Sequence, residues 1–173
     1  MARSTKKISN VIPIWIGIFL IVIAFFVVNP FVDHWIYPVK YKDHIFNSAE
    51  ITGVDPFLVM AIIRVETKFE PHRQSRAGAE GLMQLMPETV KLAVKNGKAS
   101  PLAEEYVRDP AVNIQIGSWY LSLLRKQFKG NDTAAIAAYN AGPSNVRKWI
   151  REHRWDGTKE NVEQIPFGET RNY

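Results

Sequence analysis

One carboxylate in the chain stands where a carboxylate is out of keeping with its neighbours. In Ala61-Ile-Ile-Arg-Val-Glu66-Thr-Lys-Phe69, Glu66 sits in an otherwise apolar segment with the spacing of a helix. Ile62 and Ile63 lie one turn before it and Phe69 and Glu70 one turn after, so no cation neutralises it by pairing at i±4. It also falls near the helix C-terminus, where the macrodipole disfavours negative charge. Partial burial, Glu70 and the dipole all push its pKa upward, towards a carboxylic acid still protonated near neutrality. Such a group is a candidate general acid. Taken alone, the helix favours the plainer reading of a solvated glutamate on its outer face, and the rest of the chain reverses that.

To hold that carboxylate in place the chain needs a helix with a fixed start, and Asp55-Pro56 provides it. Asp accepts from the first free N–H groups, and Pro is tolerated where an N–H has no partner. Phe57, Leu58, Ala61, Ile62, Val65 and Phe69 then recur at three- and four-residue spacing, which predicts a wide buried face. Before it, Tyr41 to Ala49 reads as a helix with Ile45, Phe46 and Ala49 on one face, ending at Gly53. After it, Glu70 to Glu80 is a polar loop, and Gly81-Leu-Met-Gln-Leu-Met-Pro87 is a short apolar segment between turn signals. Glu88 to Lys95 is a helix, and Asp109-Pro110 repeats the capping pattern to begin the longest one, running to about Phe128. Asp132 caps a helix over Thr133 to Asn140. Pro143 begins another, with Val146, Trp149, Ile150 and His153 on one face, and the tail from Asp156 is irregular. No convincing strand pattern, repeat or low-complexity tract appears, so the expected class is mainly α with at most a minor β element.

The 173 residues fit one ordinary domain, with no cysteine for a disulfide framework, a thiolate metal site or a lipid-modified cysteine anchor. Val11 to Val28 form an uncharged, almost wholly apolar run of 18 residues. As a helix it spans roughly 27 Å, close to the ~30 Å of a bilayer core. Three of the five surplus positive charges, Arg3, Lys6 and Lys7, precede it, which places the N-terminus in the cytoplasm. Val28-Asn-Pro-Phe-Val32 offers no small-x-small cleavage site, so an uncleaved anchor is expected over a signal peptide. The expected organisation is a cytoplasmic N-terminus (1–10), an anchor (11–28), a juxtamembrane linker (29–40) and a globular domain (41–173) outside the membrane. The remaining surplus of 2, with no basic cluster interleaved with aromatics, gives no support for nucleic-acid binding.

Five blocks stand in one order: Glu66-Thr-Lys-Phe, Gly81-Leu-Met-Gln-Leu-Met-Pro87, Asn113-Ile-Gln-Ile-Gly117, Ala138-Tyr-Asn-Ala-Gly-Pro143 and Ile165-Pro-Phe-Gly-Glu-Thr-Arg171. Over roughly residues 41 to 173 they resemble the soluble-lytic-transglycosylase catalytic domain, related to goose-type lysozyme. The resemblance implies a lysozyme-like helical fold. It also implies cleavage of peptidoglycan between N-acetylmuramic acid and N-acetylglucosamine, leaving a 1,6-anhydromuramyl end. Glu66 falls on the family's catalytic glutamate and Tyr139 on the tyrosine that faces it. Ser75 matches a site serine, Gln84 and Met86 match residues lining the glycan groove, Asn140 begins the turn holding the tyrosine's loop, and Glu169 matches a second acid bordering the cleft. Two departures are visible. Thr67 replaces the usual Ser, and the family tends to continue into another helix after the Glu-Thr-Arg block, whereas this sequence stops at Tyr173.

An ordinary glycosidase flanks its bond with two carboxylates. A lytic transglycosylase manages with one, because the muramyl N-acetyl oxygen attacks the anomeric carbon and the sugar's C6 hydroxyl replaces water. Glu66 then serves as acid and as base, with the Tyr139 hydroxyl on Glu66 or the N-acetyl group and Ser75 on a sugar hydroxyl. No metal or cofactor is required, and His34, His44, His72 and His153 lie too far apart in sequence for ligand spacing. The implied partners are glycan strands and, through the anchor, the membrane. Two other readings stay open: a hydrolytic muramidase on the same fold, and a non-catalytic wall-binding or assembly module. Outside the motif, Met83 and Met86 read as core, Tyr139 as core with its hydroxyl at the surface, and Asn113 and Gly117 as structural.

Overall fold

The computed structural model describes residues 15–21, 23–25 and 40–173. The chain divides into two units, Met1–Lys40 and Tyr41–Tyr173. In the first, 15–21 and 23–25 are helical. The span expected over 11–28 runs through positions outside the described residues (11–14, 22 and 26–28), as does most of the linker after it. Among the described residues, no helix is long and apolar enough to cross a membrane.

The second unit is built from helices, with no strand among the described residues beyond isolated bridges from Glu80 to Gln74 and to Leu85. In chain order the helices are α1 (Lys42–Thr52), α2 (Pro56–Thr67), α3 (Pro87–Lys95), α4 (Pro110–Gln127), α5 (Asp132–Ala141), α6 (Pro143–Arg151) and α7 (Gly168–Arg171). Two single 3₁₀ turns, Pro101–Glu104 and Val162–Gln164, complete the set. The Asp-Pro starts are realised. Asp55 accepts from the Phe57 N–H, and Asp109 accepts from those of Ala111 and Val112. At α5 the cap is Asn131 rather than Asp132: its side chain accepts from the Ala134 N–H, and Asp132 instead pairs with Arg125.

The long helix α4 is the hub, packed by α1, α3 and α5. Ile114, Ile116 and Leu121 on α4 meet Ile45 of α1, Val59 and Ile63 of α2, and Leu82 and Met83 in one core. Leu124 with α5, α6 and the tail forms a second, around Ala135, Trp149, Trp155 and Ile165. Tyr139 packs against both. Gly117 permits a close approach, since a Cβ there would overlap the Met83 sulfur.

The buried faces of the early helices differ from the expected ones. On α2 the buried residues are Val59, Ile62, Ile63 and Thr67, while Phe57 (69% exposed) and Val65 (53%) face outward. From Pro56 to Ile63 the helix is apolar on every side, which gives the sequence no polar face there from which to orient it. On α1, Ile45, Ser48 and Ala49 are buried and Phe46 is exposed. On α6, Val146 and Trp149 are buried, but His153 lies past the helix end with a positive φ of 55°. The tail is not irregular throughout. Trp155 is fully buried with its indole N–H on the Thr158 carbonyl, and the rings of Trp149 and Phe167 meet edge-on at 4.9 Å.

Candidate active site

Glu66 occupies the last turn of α2, which closes one residue later at Thr67. Thr67 is fully buried, and its hydroxyl is shared between the Ile63 carbonyl (3.1 Å) and that of Leu82 (2.8 Å). The hydroxyl that matters to the motif therefore fastens the helix end to the Gly81–Pro87 segment, and the extra methyl of Thr goes into the core. Lys68 and Phe69 follow with φ of 54° and 67°. Consecutive left-handed residues that are not glycine cost conformational energy, and such outliers gather at functional sites. They turn the chain sharply away and leave Glu66 half-buried at the wall of an open cleft of about 590 Å³.

The hydrogen-bond partner of Glu66 is Tyr173, whose hydroxyl donates to the carboxylate Oε1 at 2.7 Å. Burial raises the Glu66 pKa above the usual glutamate value; the Tyr173 bond opposes this, the charge of Glu169 adds to it, and Arg73 opposes it. The acidic neighbour that acts is thus Glu169, not the sequence-adjacent Glu70, which points to solvent. Tyr173 is itself held protonated, first by burial and then by the Glu66 charge, so it remains a donor.

Ser75, Gln84, Asn140 and Glu169 line the same cleft. The Ser75 oxygen accepts from the Ala79 N–H at 2.9 Å, which closes the 75–79 turn and leaves the O–H to donate outward. Gln84 stands at φ 48°, and its amide nitrogen donates to the carbonyls of Gly81 and Arg73. Asn140 lies in the last turn of α5 rather than in a loop, and its oxygen accepts from Thr170 of α7 at 2.6 Å, which ties the Glu169 turn to the cleft wall.

A second hollow of about 190 Å³ shares Gln84 and Asn140 with the first and adds Met86, Tyr120 and Tyr139. The two therefore form one groove. Tyr139 is central to it but does not bond Glu66: its hydroxyl donates to the Met83 carbonyl at 2.9 Å. Burial, then Glu66 and Tyr120, raise its pKa well above the ordinary phenol value. Its ring lies 5.7 Å from that of Tyr120. Met83 is core and Met86 is on the rim.

All seven residues read from the sequence thus border one groove. The sequence reading omitted Tyr173, Arg73 and Tyr120. For Tyr173 no local signal existed: it lies past the end of α7, and its partner Glu66 stands 107 residues earlier. The arrangement provides a carboxyl whose pKa burial raises, a phenol that can follow its change of charge, and flanking amides and rings of the kind that hold a sugar.

Fold and groove together place the chain among mainly helical, lysozyme-like domains. Residues 43–162 match the Transglycosylase SLT domain family, and the chain belongs to it. It is 39% identical over 143 residues to the soluble lytic murein transglycosylase of Escherichia coli K12, a match covering 79% of this chain and 22% of that protein. It is 38% identical over 116 residues to the membrane-bound lytic murein transglycosylase C of Edwardsiella ictaluri, covering 62% of this chain and 32% of that one. An inactive glutamate-to-glutamine mutant of the lytic transglycosylase Slt from Pseudomonas aeruginosa has a similar structure. There the TM-score is 0.71 at 37% identity, over 79% of this chain and 22% of that chain. The chain spans about a fifth of the length of the soluble relatives it matches.

Proposed function

We propose that this domain is a peptidoglycan lytic transglycosylase, cleaving the β-1,4 bond between N-acetylmuramic acid and N-acetylglucosamine with formation of 1,6-anhydromuramyl ends. The observation that carries the reading is the half-buried Glu66 carboxyl, raised in pKa by burial and opening on the groove. As acid it protonates the glycosidic oxygen while the muramyl N-acetyl oxygen attacks the anomeric carbon. As carboxylate it then removes the C6 hydroxyl proton, and that oxygen attacks the anomeric carbon, displaces the N-acetyl oxygen and so closes the anhydro ring. Tyr173 bonds the carboxylate between the two steps. Tyr139, with Gln84, Met86 and Asn140, forms the wall of the neighbouring sugar site, and its hydroxyl fixes the Met83 carbonyl and so the Gly81–Pro87 segment. Ser75 and Glu169 border the cleft as contacts to sugar hydroxyls. The apolar run at 11–28 anchors the domain on the outer side of the membrane, a reading supported by the relative named as membrane-bound.

Glu169 favours one competing reading, since a second carboxylate at the cleft could activate water and make the enzyme a hydrolytic muramidase. Mass spectrometry of products from sacculi separates the two, because anhydro ends are lighter by about 18 Da, one water. The expected products are anhydro ends, and hydrated ends alone would overturn the lytic mechanism. Glu66→Gln is expected to lower turnover by at least ~10²–10⁴-fold. It should not lower Tm at neutral pH. The folded-state pKa of Glu66 lies above the unfolded value, so stability is fullest below the ordinary glutamate pKa and falls as pH rises through the raised one. The amide removes that loss. Wild-type turnover by a folded Glu66→Gln protein would remove Glu66 from the chemistry, whereas no product from the wild-type protein itself would leave only the wall-binding module.

A further inference from the structure

The groove holds one cation that the proposed chemistry does not use. Arg73 lies in the loop after α2 and lines the same cleft as Glu66 and Glu169. Its backbone is fixed, since its carbonyl accepts both from the Gly81 N–H at 3.0 Å and from the Gln84 amide at 3.2 Å. The guanidinium is exposed and makes no hydrogen bond or ion pair with another described residue. This differs from the other arginines set beside acids: Arg108 is spent on Glu80 and Arg125 on Asp132. An arginine on a pinned loop, lining the cleft beside two carboxylates and bonding neither, is available to something that enters the cleft.

The entering polymer, if the lytic reading holds, is neutral along its sugar rings but anionic at its muramyl substituents. Each muramyl unit bears a lactyl ether whose carboxyl is either free or carries a peptide, and that peptide has carboxylates of its own. Planar bidentate recognition of a carboxylate is what a guanidinium does best. We propose that Arg73 is a carboxylate-binding site within the glycan groove, selecting strands whose muramyl units carry a negative charge. This rests on the lytic transglycosylase reading and adds to it a substrate preference that Glu66 alone does not give.

The test uses the full chain in mild detergent on three preparations of one batch of strands: with peptides intact, with peptides removed by an amidase so that only lactyl carboxylates remain, and with the peptide carboxylates converted to amides. Wild type is expected to turn over charged strands about threefold to tenfold better than amidated ones, with the ratio falling as salt rises. Preference for peptide-free strands over amidated ones assigns the lactyl carboxylate, and preference for intact strands alone assigns the peptide. Arg73→Gln is expected to bring the charged-to-amidated ratio close to one, and Arg73→Lys to keep part of it. A wild-type ratio of one, or a ratio unchanged in Arg73→Gln, overturns the site. So does a shift of the pH profile alone, which would make Arg73 a neighbour of Glu66 and nothing more. Absence of anhydro products from every preparation, wild type included, would overturn the lytic reading and this site with it.

Discussion

Two tyrosines lie near Glu66, and the direction of their hydroxyls separates their roles. Tyr139 is committed to the Met83 carbonyl, whereas Tyr173 donates to the Glu66 carboxylate. A donor on a carboxylate favours the charged form, and at Glu66 this opposes the rise caused by burial. Tyr173→Phe removes the donor and keeps the ring, so the Glu66 pKa rises further and the acid stays protonated to higher pH. The descending alkaline limb of the pH–rate profile should therefore move upward in pH, with maximal turnover reduced about tenfold, the order expected for one hydrogen bond to a charged group. Profiles of kcat/KM on soluble glycan strands check this, and an unmoved limb would remove Tyr173 from the proton chemistry. Glu66 was legible in the sequence because a carboxylate in an apolar helix is an anomaly in itself. Tyr173 was not, because its partner lies 107 residues away and only folding brings them together.

Elements position these residues through a few buried polar contacts. Asn113 on α4 is fully buried, and its side chain accepts from the Met83 N–H at 2.8 Å while donating to the carbonyls of Val107 (2.7 Å) and Glu80 (3.0 Å). It thus supports the Gly81–Pro87 segment from beneath, and Gly81 must be glycine there: φ is 77° and a Cβ would overlap the Asn113 amide. Asn113→Ala leaves three backbone groups without their partner at about 1–3 kcal/mol for each that water cannot reach. The expected loss is about 3–5 kcal/mol in total, or a Tm lower by roughly 10 °C. Turnover should fall even well below that Tm, because Gln84 and the Met83 carbonyl lose their support. Thermal melting paired with turnover at low temperature measures both, and a normal Tm would show that the three bonds hold nothing. Helix starts were readable because Asp-Pro pairs fix them locally, and Gly53 ended α1 as a left-handed cap. The tail was not readable: α7 is only four residues long, and what orders it is Thr170 on Asn140 and Phe167 on Trp149, contacts that carry no periodic signal.

At the scale of the whole molecule, charge and apolarity are partitioned along the chain. The N-terminal surplus of Arg3, Lys6 and Lys7 precedes the uncharged run at 11–28, and the rest is nearly neutral. A domain attached to a membrane only by its surface charge would be released by salt, since screening shortens the range of such forces to about 3 Å at 1 M. An inserted helix is held by burial of apolar side chains, at about 25 cal/mol per Å², and is indifferent to salt. The full chain is therefore expected to remain in the membrane fraction after washing in 1 M salt and after alkaline carbonate, and to be released by detergent. Replacing Phe19 and Leu20 by Arg should release it, because each charge at the centre of a span costs about 2.5–3.5 kcal/mol. The same fractions report the orientation. With the N-terminus in the cytoplasm, protease added outside intact cells should remove the groove-bearing domain and spare a tag placed before Arg3. Release by salt alone would make the contact electrostatic. A soluble form beginning near residue 30 would mean that the run is cleaved and that the domain is not tethered through it.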